Sequence, residues 1–121
     1  MVQHQPAALD GAFAALADAT RRGVLEQLGR KDASISDLAE RFDMTLTGMK
    51  KHVGVLEQAG LVTTVKIGRV RQCTLGRRRL EEAVAWIDRF HELWTARFDA
   101  LDAVIDTLKR EEQAHVRQKR K

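Results

Sequence analysis

Three consecutive side chains, Lys50, Lys51 and His52, carry or can take up positive charge, and their neighbours decide what that charge can do. Met49, Val53 and Leu56 recur at helical spacing through the same stretch. A helix over residues 45–59 would therefore bury one stripe and hold the cations beside it. Thr45, Thr47 and Gly48 stand at its start, where hydroxyls and helix-end N–H groups are suited to phosphate. Three more cations, Lys66, Arg69 and Arg71, follow on a β-branched segment interrupted by Gly68. Cations placed on a helix and an adjoining ribbon are suited to phosphate contacts and to hydrogen bonds with base edges in a major groove. The candidate DNA-facing set is Thr45, Thr47, Gly48, Lys50, Lys51 and His52 from the helix, with Lys66, Arg69 and Arg71 from the ribbon.

The charge distribution agrees with that placement. The 121 residues have a net charge of +4, but it is unevenly spread. Residues 45–79 hold eight basic residues and one acidic residue, net +7, whereas residues 80–108 hold two basic and seven acidic, net −5. Phosphate binding depends on where the cations sit more than on their total. One cysteine cannot form an internal disulfide, and no Cys/His cluster has zinc spacing. Apolar runs stay far below the roughly 18 residues of a membrane span, so a cytoplasmic protein without membrane contact is expected. Gly-rich phosphate loops, a nucleophile elbow and catalytic carboxylate pairs are all missing from the sequence, so an enzyme is not expected and no cofactor is implied.

These residues need a scaffold, and the apolar pattern outlines one. Residues 1–8 read as a flexible leader. Leu9, Phe13 and Leu16 mark a short helix, and Asp18 opens a second from Thr20 to about Leu28, with Gly29 as its stop. Ser34 or Ser36 can cap a third helix that buries Leu38, Ala39 and Phe42. Asp43-Met44 makes the turn, Thr45 caps the fourth helix, and Gly60 supplies its left-handed terminus. Gly48 and Gly54, inside that helix, suggest close approach of a neighbouring backbone. Residues 61–67 and 70–75 form a two-stranded hairpin, or wing, in which Cys73 is a small buried residue.

From about Arg78 to Lys109 apolar residues fall every three or four positions. Such a helix spans roughly 45 Å, longer than a core of this size covers. The excess points to a homodimer through Ile87, Phe90, His91, Trp94, Phe98, Leu101 and Ile105, joined by Leu9, Phe13 and Leu16 of the first helix. Residues 110–121, charged and without apolar period, are expected to be a basic disordered tail. The fold expected is mainly α, with about five helices and a two-stranded β-wing. Its winged helix-turn-helix domain, including the dimerisation helix, occupies residues 9–109.

In three places the chain resembles the ArsR family of winged helix-turn-helix repressors. Ala17-Asp18-Ala19-Thr20-Arg21-Arg22-Gly23-Val24-Leu25 is similar to the family's DxTRxxIL segment. His52-Val53 and Val55-Leu56-Glu57, followed by Ala59-Gly60-Leu61-Val62, resemble its HLxxLExAGLV signature, and Gly68-Arg69 matches the wing turn. The resemblance implies a dimeric repressor, its own gene among the targets, on an inverted-repeat operator in double-stranded DNA. It also marks departures. The region matching the family's metal-binding cysteine pair is Ala33-Ser34-Ile35-Ser36-Asp37, which has no thiol. On the last helix Asp88 and His91 do not reproduce the family's Asp-x-His spacing, and the next histidine is His115. A non-metal-sensing type is implied, with no metal ligand assigned and the small-molecule effector left open. Gly48 and Lys50 replace the usual small or hydroxyl residues, so an operator sequence does not transfer. The alternatives are a winged-helix module that docks a protein, and a metal- or redox-responsive sensor using His91 or Cys73.

Overall fold

A computed structural model describes residues 6–120. The order of elements is α1 (Pro6–Leu16), α2 (Ala19–Arg30), β1 (Ala33–Ser34), α3 (Ile35–Arg41), α4 (Leu46–Gln58), β2 (Val62–Ile67), β3 (Val70–Leu75) and α5 (Arg77–Arg120). Two compact units result, one through Val84 and one from Ala85 onward.

In the first unit, three helices begin on side-chain caps. Asp18 accepts a hydrogen bond from the Arg21 N–H, Ser34 from the Asp37 N–H and Thr45 from the Gly48 N–H, each at 3.0 Å. Asp43, at φ 53°, turns the chain between α3 and α4. The α4 terminus is a Schellman motif. Gly60 takes φ 77°, its N–H reaches the Glu57 carbonyl at 2.9 Å, and the Leu61 N–H reaches the Leu56 carbonyl at 2.9 Å. Gly76 passes so close behind this terminus that an added Cβ would lie 2.1 Å from the Gly60 carbonyl oxygen. Only a residue without a side chain fits there.

The core gathers one stripe from each element. Val24 and Leu28 come from α2, Leu38 from α3, and Met49, Val53 and Leu56 from α4. Leu61, Val62 and Cys73 close it from the sheet side. Ala12 and Ala15 of α1 are fully buried, and Leu16 packs against the same cluster.

The two strands of the wing, β2 and β3, pair as expected, and a third strand joins them in the order β1-β3-β2. Ala33 pairs with Cys73 and Ser34 with Gln72, so the start of α3 is tied to the returning wing strand. A two-residue strand has no alternation by which sequence could reveal it. Gly29 does not end α2, which runs on to Arg30 with Lys31 as cap. Pro6–Ala8, expected in the leader, belong to α1, while residues 1–5 lie outside the described residues. Close backbone approach does not explain the two α4 glycines. A Cβ at Gly48 would meet side-chain atoms of Thr45 and Met44, and one at Gly54 would meet nothing within 4 Å.

The second unit is helical from Ala85 to Arg120. The expected disorder from residue 110 is replaced by helix, because Lys, Arg, Glu, Gln and Ala favour helix and no Gly or Pro interrupts them. Trp86 stacks on Phe90 with ring centroids 5.4 Å apart, and Trp94 meets Phe98 edge-on at 5.8 Å. His91 lies edge-on to Trp94 at 4.9 Å. Ile87, Phe90, Trp94, Phe98, Leu101 and Ile105 are exposed along this helix. Leu9 and Phe13 of the first unit are half-buried.

Candidate nucleic-acid interface

Burial of Met49, Val53 and Leu56 fixes how α4 is rotated. At about 100° per residue, the face opposite that stripe carries Thr47, Lys51, Gly54 and Gln58, with Lys50 at its edge, and all five are exposed. Thr45 is also exposed, and its hydroxyl accepts from Gly48 while keeping a proton to donate outward. The N–H groups of Leu46 and Thr47 occupy the first turn, which a helix leaves without intrahelical acceptors. These features give the start of α4 both donors and partial positive charge.

Between α4 and the wing lies a cleft of about 540 Å³. Lys50, Lys66, Arg69 and Arg71 converge on it, so four of the nine candidate residues form one cationic group. Ser34, Ile35, Ser36 and Asp37 at the start of α3 and the apolar Leu46 and Val70 complete the lining. Arg71 has a second role. Its Nε donates to Thr64 Oγ1 at 3.3 Å, and that hydroxyl donates to Glu57 Oε2 at 2.7 Å. This chain straps the wing to the C-terminal half of α4.

The remaining candidates separate from the cleft. Lys51 lines a different hollow with Arg21, Gly54 and Val55 against α1. Gly48 is half-buried beneath the Thr45 cap. His52 is the clearest departure from the expected outward set, because its side chain turns toward the start of α2. Its Nδ1 lies 3.4 Å from Arg21 Nη1 and 3.9 Å from Asp18 Oδ1. Arg21 also donates to the carbonyls of Ala15 at 2.8 Å and Ala14 at 3.3 Å. The group therefore joins the end of α1, the cap of α2 and the middle of α4. The hydrogen bond from the Arg21 backbone N–H holds the Asp18 carboxyl below its usual range, and the nearby Arg21 and His52 charges act in the same direction.

Cys73 is fully buried, and loss of solvation pushes its thiol up to about 11. Arg77 and Arg78 pair along α5 with Glu81 at 3.2 Å and Glu82 at 3.7 Å, and Arg79 contacts Glu82. The arginine run is thus partly neutralised at the helix start. Leu46 and Arg21 were absent from the sequence-based set. Leu46 looks like a core residue by type, and the role of Arg21 depends on a partner 31 positions away.

The fold matches known proteins. A helix-turn-helix domain family model covers residues 16–65. An HTH-type transcriptional regulator of Bacillus subtilis, YuzN, is 34% identical over 87 residues, covering 65% of this chain and 95% of the relative. The transcriptional repressor SdpR from the same organism is 27% identical over 82 residues, covering 68% and 91%. A crystal structure of an ArsR family transcriptional regulator is 45% identical, with a TM-score of 0.69, covering 78% of this chain and 96% of the other. The chain belongs to the ArsR family. It is a transcriptional regulator with a winged helix-turn-helix DNA-binding domain. In this ArsR family regulator the matched segment contains α2 to α4 and the start of the wing, including the Asp18–Arg21–His52 group. Among the described residues no helix is long and apolar enough to cross a membrane.

Proposed function

We propose that this ArsR family regulator is a homodimeric repressor that binds an inverted-repeat operator, including one upstream of its own gene. The observation that carries the reading is the convergence of Lys50, Lys66, Arg69 and Arg71 on one cleft beside the exposed start of α4. Thr45 and Thr47 add hydroxyls at the same helix end, and Lys51 extends the charge along the outer face. The match to a repressor, SdpR, supports the direction of regulation. The exposed apolar stripe of α5, with Leu9 and Phe13 of α1, serves as the dimer contact. Two-fold symmetry then sets half-sites about one helical turn apart. Residues 9–109 carry both tasks.

A fluorescence-anisotropy titration of the full chain against the DNA upstream of its gene, at several salt concentrations, tests this directly. Affinity should fall steeply as salt rises, because each neutralised phosphate contributes about −0.9 to the log–log slope. Lys50→Ala and Arg69→Ala should each make that slope shallower by about 1 while sedimentation still shows the dimer. Binding that ignores salt, or slopes identical to the parent protein in both variants, would remove this cleft from the interface.

A further inference from the structure

Leu46 is an aliphatic residue exposed among the cations of the α4–wing cleft. It opens α4, remains 45% exposed, and lines the cleft beside Lys50 and Val70. The packed stripe of α4 is Met49, Val53 and Leu56, and Leu46 stays outside the core cluster. Its position matters because the first turn of a reader helix enters the major groove most deeply. Base pairs show one apolar group in that groove, the C5-methyl of thymine. An exposed leucine at this point therefore has a chemically matched contact, and the cations around the cleft would draw the flanking phosphates toward it.

We propose that Leu46 is a specificity-determining residue that selects thymine by packing against its methyl group. This rests on the DNA-reading role given above for the α4–wing cleft. The cations fix the duplex without distinguishing its sequence, and the leucine discriminates by burying a group that cytosine and deoxyuridine lack. Discrimination of this kind is modest in size and local to a single base position.

The test starts by selecting high-affinity duplexes from a random library with the full-length protein. Each thymine of the selected duplex is then replaced singly by deoxyuridine, which deletes the methyl and nothing else. At one position in each half-site the parent protein should lose about fourfold in affinity, the value of one buried methyl-sized group. Leu46→Ala should bind the parent duplex more weakly and show no further loss at that position. Leu46→Met, which keeps an apolar chain, should restore the methyl dependence. Circular dichroism melts confirm that both variants remain folded. The inference is overturned if no thymine replacement weakens the parent protein, or if Leu46→Ala loses the same factor as the parent. A selection that enriches no sequence overturns the DNA-reading role itself, a result distinct from those two.

Discussion

The two compact units treat their apolar side chains in opposite ways. The first, through Val84, builds a closed core in which Leu38, Leu56 and Leu61 have no exposed surface. The second, from Ala85, leaves Leu93 69% exposed and Phe98 54% exposed on a helix with no packed core of its own. Both segments are comparably rich in apolar residues, so composition does not explain the difference. The first unit has helices and a sheet that close on one another. The second has one helix, and a single helix cannot bury both sides of its own stripe. Burial in the second unit must come from another surface, which is the physical basis of the dimer proposed above.

The sharpest way to break this contrast is to damage each unit separately. Leu56→Ala should destabilise the first unit by about 2–5 kcal/mol, the range for a fully buried leucine, as read by urea unfolding. The buried thiol of Cys73 offers a second readout on the same variant. With its pKa raised to about 11 it has almost no thiolate at neutral pH, so alkylation proceeds through opening of the fold and should accelerate in Leu56→Ala. A loss well under 1 kcal/mol would show that the first unit is not held by this core.

Trp94→Glu applies the corresponding change to the second unit. A charge in the middle of the aromatic run should raise the dimer dissociation constant at least thirtyfold by analytical ultracentrifugation, the effect of losing an interface hot spot. The urea midpoint of the first unit, measured below the dimerisation range, should stay near that of the parent. A Trp94→Glu protein that remains fully dimeric would detach the exposed α5 stripe from assembly.

The smallest effect expected is on the acid side of stability. Folding lowers the Asp18 pKa, so its contribution is fully present above the usual carboxylate range and disappears as pH falls through the lowered folded value. Asp18→Asn keeps a capping oxygen and removes the charge. Urea midpoints compared between neutral pH and about pH 3 should therefore drop less in Asp18→Asn than in the parent. An equal drop would mean that the Arg21 N–H and its neighbours do not favour the charged form.

What sequence revealed and what it hid follow from how local each signal is. The α4 helix was legible because its cap Thr45, its buried stripe and its terminal Gly60 all lie within sixteen positions of one another. The clustering of cations on α4 and the wing was legible for the same reason. The direction of His52 was not legible from its place beside Lys50, because a helix rotates about 100° between neighbours and turns His52 toward Asp18 and Arg21. Leu46 was passed over because an aliphatic residue at a helix start looks like core until burial is measured. The β1 strand needed a partner some 40 positions away. The helix beyond Lys109 was hidden by its charge, which marks solvation and says little about backbone conformation.

The wing is anchored at both margins, by β1 along one edge and by the Glu57–Thr64–Arg71 bonds to α4 along the other. Restraint at its base limits how far the ribbon can swing to suit a groove. A mismatch between a target site and the spacing of helix and wing would then fall partly on bending or narrowing of the double helix. Stiffness of base steps that no side chain touches would thereby enter the choice of binding site.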